Sequence, residues 1–317
     1  MKTKFELKRL RSFDQTIEAS FRYFRTFFKP IFRLLWQNNK ILIIALFVSY
    51  FLYNYYASQM FNFNFNGTKN TVNQETTWLS VVILIVFLLL SVVFFTRYLL
   101  TVYGFMEAYE KHRDTVKIEE EVAQTVNSRF WPFIGASFFL FFIMFIVIAL
   151  AGLLFFVLFS LSKGLAVFLL LVLMLPLIVY IIVLSNLYYP VYFFEKTSVS
   201  QALRLAYRYL KERFWYSFGV IFVLGIVVTI ISIVFNVPLY IYLMLKGFLA
   251  FKDPNAFAQS LQKDVVLSFF AVLSFAGQTL LRALSLIGSA ILYFSIKEYH
   301  TAAGTIEKIQ NIGKHDD

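Results

Sequence analysis

Apolar positions in this chain cluster into six long runs separated by short polar or charged segments. A membrane span needs about 20 mostly apolar residues, and runs of at least that length with little or no charge occupy residues 41–60, 78–100, 130–161, 165–189, 215–237 and part of 265–296. The pattern predicts an all-α fold: a polytopic integral membrane helix bundle with six transmembrane helices paired as three hairpins. Arg97 falls near the end of the second run, where a long side chain can snorkel to the interface. Pro132 is expected near a helix start and Pro176 at a mid-span kink, while Asn236-Val237-Pro238 is expected to end the fifth span. The last run is too long for one untilted span, leaving room for a half-buried helix between spans five and six. The whole reads as a single membrane domain, 1–317. It comprises a basic amphipathic segment (1–40), hairpin 1 (41–106), a linker helix with hairpin 2 (107–194), an amphipathic helix with hairpin 3 (195–296) and a tail (297–317).

A second periodicity lies between the spans. Phe21-Arg22-Tyr23-Phe24-Arg25 aligns with Tyr207-Arg208-Tyr209-Leu210-Lys211, and the same register pairs Ser12 with Ser198, Gln15 with Gln201, Ile17 with Leu203 and Phe28 with Phe214. Ile17, Phe21, Phe24 and Phe28 share one helical face, as do Leu203, Tyr207, Leu210 and Phe214, with Arg22, Arg25, Arg208 and Lys211 away from it. Such helices suit the interface of an anionic leaflet. Arg129-Phe130-Trp131 echoes Arg213-Phe214-Trp215 before the third span, although the segment containing Glu119-Glu120-Glu121 lacks a clean apolar stripe. The chain is therefore read as three units of amphipathic helix plus hairpin, the middle one degenerate.

Composition and charge sharpen this picture. Hydrophobic residues make up 60% and charged ones 15%, against about 25% charged in a soluble domain, and mean hydropathy is +0.71. With the N-terminus inside, 22 Lys and Arg fall on the cytoplasmic side and five (Lys69, Lys163, Lys246, Lys252, Lys263) on the other. This is the positive-inside bias, and it accounts for the net charge of +11 through topology and anionic headgroups rather than nucleic acid. Both ends are expected in the cytoplasm, with the basic N-terminus retained rather than cleaved as a signal peptide.

Candidate chemistry is sparse. The three histidines, His112, His300 and His315, lie in polar segments without HExxH spacing, and cysteine is absent, so no metal, catalytic or cofactor site is expected. No Asp or Glu interrupts an apolar span, which argues against intramembrane aspartyl proteolysis and acid proton relays. The acidic run Glu119–Glu121 reads as a solvated helix face. Ser274, Gln278, Arg282, Ser285 and Ser289 form one polar stripe at helical spacing. Arg282 with Gln278 is thus a candidate anion or lipid-phosphate site, beside the interfacial Arg22, Arg25, Arg208 and Lys211.

The aromatic-basic helices, the Arg-Phe-Trp entry and the ending Tyr293-Phe294-Ser295-Ile296-Lys297-Glu298 resemble the six-span domains of the glycerophosphoryl diester phosphodiesterase membrane-domain superfamily, which includes YciC-like bacterial inner-membrane proteins. The tail from Glu298 to Gly313 is similar to uncharacterised Bacteroidetes members. The resemblance implies a bacterial cytoplasmic membrane location. Some members carry a soluble phosphodiesterase barrel, for which this chain has no room, so that activity is not implied.

Two function classes follow. One is a noncatalytic membrane protein, a scaffold, partner subunit or envelope and lipid-homeostasis factor, whose partners are anionic lipids and other membrane proteins. The other is a transporter or channel for a lipid-like or small amphiphilic solute. If Arg282 holds a lipid phosphate, Arg282→Ala weakens anionic-lipid retention in the purified protein; unchanged co-purified lipid by native mass spectrometry rejects that role.

Overall fold

The computed structural model of the chain describes residues 5–57, 74–112, 115–161, 172, 174–250 and 264–301. Among them are seven helices and no strand: α1 (Phe13–Ala57), α2 (Gln74–Lys111), α3 (Thr115–Leu161), α4 (Leu175–Glu195), α5 (Val199–Glu212), α6 (Phe214–Ala250) and α7 (Val265–Thr301). All but α5 are long and apolar enough to cross a bilayer, so this is a multi-pass helical membrane protein. Helices prevail because hydrocarbon offers no water to unpaired backbone groups, and a helix satisfies them within one segment.

Helix ends follow local chemistry. At the start of α1 the Ser12 N–H donates to Gln15 Oε1 (3.3 Å), and before α5 the Ser198 N–H donates to Gln201 Oε1 (3.4 Å). The Ser and Gln matched in the sequence are thus one arm of a capping box at each site. α1 breaks at Asn39, which leaves helical geometry (φ −137°, ψ 16°) where the basic segment gives way to the first apolar run. Asn39 Nδ2 donates to the Leu35 carbonyl (3.2 Å) and its Oδ1 accepts from Arg97 Nε (2.6 Å). Arg97 is accordingly held by the break in α1 and does not simply reach for the interface.

Two proline expectations are revised. Pro132 lies well inside α3 and Pro238 inside α6; neither starts nor stops a helix, because a span tolerates a freed carbonyl when neighbouring groups re-satisfy it. Pro176 sits in the first turn of α4, preceded by Val172 and Met174 in π-helical geometry, and the rest of the segment before it lies outside the described residues. The sixth span is one unbroken helix, α7, begun by Asp264, whose Oδ1 accepts from the N–H groups of Val266 and Leu267 at 3.0 Å each. The half-buried helix expected before it falls on 251–263, outside the described residues, as do the last residues of the first predicted span (58–60) and most of the early part of the fourth.

The chain divides into two compact units. One comprises Met1–Ile31, Leu99–Gly225 and Leu284–Asp317. Its core is the last part of α7, with Leu284, Ile287, Ala290, Ile291, Leu292, Tyr293, Ser295 and Ile296 all essentially inaccessible. The second, Phe32–Tyr98 with Ile226–Ala283, centres on an aromatic cluster in which Phe275 meets Tyr50 (4.7 Å) and Phe87 (5.8 Å).

In the interhelical segments the packed face overlaps the expected one only in part. Leu210 is buried as expected, together with Thr16, Ser20 and Tyr23 in α1 and Ala202, Ala206 and Tyr209 in α5, whereas Ile17, Phe21, Phe24, Phe28, Leu203 and Phe214 are half-buried and Tyr207 is 51% exposed. Small residues let helices approach closely, and they share the contact with Tyr23, Tyr209 and Leu210. The start of α3 has the apolar stripe it was expected to lack: Ile118, Val122 and Val126 are buried.

Gly277 marks a close helix approach in the second unit, since a β-carbon there would stand 2.1 Å from the Phe235 ring. Gly135 faces open space. Gly277→Ala should therefore lower the melting temperature in detergent, its overpacking cost of about 1–3 kcal/mol outweighing the helix-propensity gain of about 1 kcal/mol. Gly135→Ala should leave it unchanged or higher.

Candidate functional site

The four interfacial cations named from sequence are all exposed. Arg22 and Arg25 lie one turn apart on α1, and Arg208 and Lys211 one turn apart on α5. The Arg22 guanidinium also lies 5.3 Å from the Phe5 ring centroid. The structure presents them as two basic pairs on helices whose opposite faces are packed.

The polar stripe on α7 is not uniform. Ser274 and Ser289 are buried, whereas Gln278 and Arg282 are exposed. Ser274 Oγ donates to Asn236 Oδ1 and accepts from Gln278 Nε2, and Ser289 Oγ donates to Asn186 Oδ1 (3.1 Å). The buried members therefore tie helices together, while Arg282 stacks on Phe95 at 4.3 Å.

A pocket of about 220 Å³ that sequence reasoning did not single out opens where α3 meets the end of α4, lined by Arg129, Pro132, Phe133, Tyr192, Phe193, Lys196 and Thr197. Arg129 Nη1 donates to the Phe193 carbonyl (3.1 Å), and its guanidinium lies 4.8 Å from the Phe193 ring. Lys196 follows the last turn of α4 in the left-handed conformation (φ 53°). It is the only non-glycine residue with positive φ among those described. Its Nζ stands 3.0 Å from Glu107 Oε1. Thr197 Oγ1 is buried with no hydrogen-bond partner, and the Tyr192 hydroxyl donates to the Pro132 carbonyl (3.2 Å).

Glu107, beyond the apolar part of α2, organises the cations behind the pocket. It also pairs with Lys111 (3.2 Å) and lies 3.7 Å from Arg129. Burial disfavours its charge, but the hydrogen bonds from Lys196 and Lys111 and the Arg129 charge outweigh this and hold the carboxyl below its ordinary value of 4.5. Glu121 of the acidic run pairs with Lys111 (2.6 Å) and His112 (2.7 Å). Among the described residues no three His, Asp or Glu come together as a metal site.

A second polar knot ties down the N-terminal segment. Arg11 is buried, its guanidinium donating to the carbonyls of Leu7 (2.9 Å), Arg9 (3.1 Å) and Glu6. Desolvation lowers it to about 10, so it remains cationic at neutral pH. The Arg11 N–H donates to Ser295 Oγ (3.1 Å) and its carbonyl accepts from the Tyr216 hydroxyl (3.1 Å), which also meets Thr16 Oγ1 (2.7 Å). Tyr293 donates to Glu195 (2.7 Å), which pairs with Lys297 (3.0 Å). Tyr293, Ser295 and Lys297 of the terminal motif thus act in assembly.

In the sequence, Arg129 stands out only as an inside charge and as the first residue of the Arg129-Phe130-Trp131 echo, and Lys196 only as an inside charge. The available signal was Glu195-Lys196-Thr197, a helix end carrying Lys where a left-handed cap usually carries Gly. No family model matches the chain, nor does any curated protein or solved structure.

Because Glu107 has a depressed value, its stabilising contribution is present above about pH 4.5 and lost as pH falls through the lower folded-state value. Glu107→Gln should therefore melt below the wild type at pH 7, with the gap closing in thermal melts taken at progressively acidic pH.

Proposed function

We propose that this chain is a noncatalytic multi-pass protein of a bacterial cytoplasmic membrane, with both ends in the cytoplasm. In this reading it holds anionic lipid at the inner leaflet and serves as a scaffold, a partner subunit or an envelope and lipid-homeostasis factor. The observation that carries it is the division of labour on α1 and α5: Thr16, Ser20 and Tyr23, like Ala202, Ala206 and Tyr209, are packed, while the basic pairs Arg22/Arg25 and Arg208/Lys211 are exposed. Each basic residue near an anionic surface contributes about 1 kcal/mol of attraction.

The three-unit repeat is part of the proposal. Thr16, Ile118 and Ala202 are equivalent under the sequence offsets, as are Ser20, Val122 and Ala206, and all six are buried. All four tryptophans are exposed, from 46% at Trp36 to 78% at Trp215, and Trp78, Trp131 and Trp215 stand at the start of an apolar run, as interfacial anchors do. The family resemblance carried by Arg213-Phe214-Trp215 and the terminal motif agrees with this reading. The transporter reading draws less support, because the α7 stripe divides into buried interhelical contacts and an Arg282 lying on Phe95.

The absence of cysteine makes the orientation directly testable. Single cysteines at 120 and 211 should resist a membrane-impermeant maleimide in intact cells, whereas cysteines at 69, 163 and 252 should react; the opposite pattern overturns the topology. Replacing Arg22, Arg25, Arg208 and Lys211 together by Gln should reduce the enrichment of co-purified phosphatidylglycerol over phosphatidylcholine several-fold. Equal enrichment in wild type and variant removes the lipid role.

A further inference from the structure

We infer that the pocket between α3 and the end of α4 is a binding site for a phosphate-bearing monoanion, presented as a phospholipid headgroup. The inference rests on the anionic-lipid reading above and adds a defined site to it, separate from the exposed basic pairs. Four observations converge on the pocket. Arg129 and Lys196 bring a planar donor fork and an ammonium to one concave space, the pairing that recognises phosphate oxygens. Thr197 Oγ1 is buried there without a partner, and a buried hydroxyl is destabilising until something accepts or donates to it. Lys196 keeps a left-handed backbone (φ 53°) that Gly would adopt without strain, and such outliers collect at functional sites. Phe133, Tyr192 and Phe193 supply an aromatic wall beneath the cations, and basic pockets between helices at the inner face are a recurrent form of headgroup site.

Charge and size narrow the ligand. Arg129, Lys196 and Lys111 carry three positive charges against two on their partners Glu107 and Glu121, so the local excess matches the single charge of a phosphodiester. At about 220 Å³ the pocket is smaller than the roughly 300–1,000 Å³ of drug-sized sites. It takes a headgroup and leaves acyl chains outside.

The test uses full-length protein in detergent, with native mass spectrometry after adding phosphatidylglycerol, or diacylglycerol as the phosphate-free control. Wild type should bind phosphatidylglycerol selectively, and Arg129→Gln and Lys196→Gly should each weaken the adduct about tenfold, the loss of one charge-assisted hydrogen bond. Lys196→Gly suits the left-handed backbone and should keep its melting temperature, which separates ligand binding from folding. Lys117→Gln, an exposed cation outside both the pocket and the basic pairs, should leave the adduct intact. Competition by soluble glycerophosphoglycerol distinguishes the source: displacement points to a free phosphodiester ligand, and persistence to a membrane lipid, both consistent with the phosphate site. Undiminished adducts in Arg129→Gln and Lys196→Gly overturn the pocket. If wild type also fails to prefer phosphatidylglycerol over phosphatidylcholine, the broader lipid reading fails with it.

Discussion

The first unit depends on the burial of the second half of α7. Apolar side chains in a bilayer can face lipid as readily as protein, so enclosure reflects packing, and from Leu284 to Ile296 every residue but the half-buried Ser285 and Leu286 is buried. α6 reaches it where Leu224 packs on Gly288, and α4 where Asn186 meets Ser289 and Phe194 stacks on Tyr293 at 5.7 Å. The N-terminal segment joins through Arg11 and Ser295. Polar contacts on this helix are few: α4 meets Ser289 and Tyr293 through Asn186 and Glu195, while Ser295 meets Arg11 and Tyr216. That gives the arrangement direction in an environment where hydrophobicity alone does not favour one helix pair over another.

The pocket has a different physical basis. α4 ends in a conformation that turns the chain directly into Ser198 and the cap of α5, and this turn brings Lys196 toward Glu107 on α2. The same carboxylate gathers Lys111 and approaches Arg129, so three segments distant in sequence share one cluster of charge. Exposed ion pairs add little stability, and the main effect of this cluster is to hold cationic side chains in place beside an aromatic cavity.

Much of the fold was legible because span length and charge exclusion act over twenty residues at a time. The capping pairs Ser12/Gln15 and Ser198/Gln201 were visible as a match, although their role as caps was not. Prolines misled: Pro132 and Pro238 read as helix boundaries under rules learned in water, yet both lie inside helices. The packed face was legible only in part: Leu210 is buried as its spacing implies, but a periodicity that follows large apolar residues overlooks Thr16, Ser20, Ala202 and Ala206, which membrane helices bring into contact. The pocket could not be read at all, since it depends on one backbone angle at Lys196 and on a carboxylate from another helix. Arg282 stood out in sequence as a charge in an apolar run, but its neighbour Phe95 could not be inferred from that run.

The Arg11–Ser295 contact joins residues 284 positions apart, and this bears on how the protein is made. A chain emerging from the ribosome at about 5–20 residues per second has its first helix available long before α7 exists. Tyr23 finds Phe5, Phe27 and Tyr109 early, but the Thr16–Ser20 face must wait for Tyr216 and Gly288, until nearly the whole polypeptide has been synthesised. Loop-closure entropy makes such a contact slow to form, so the N-terminal knot is among the last elements to close. A truncated product ending before α7 would lack the surface against which its own beginning folds, giving quality control an unpaired N-terminal segment by which to distinguish incomplete chains from finished ones.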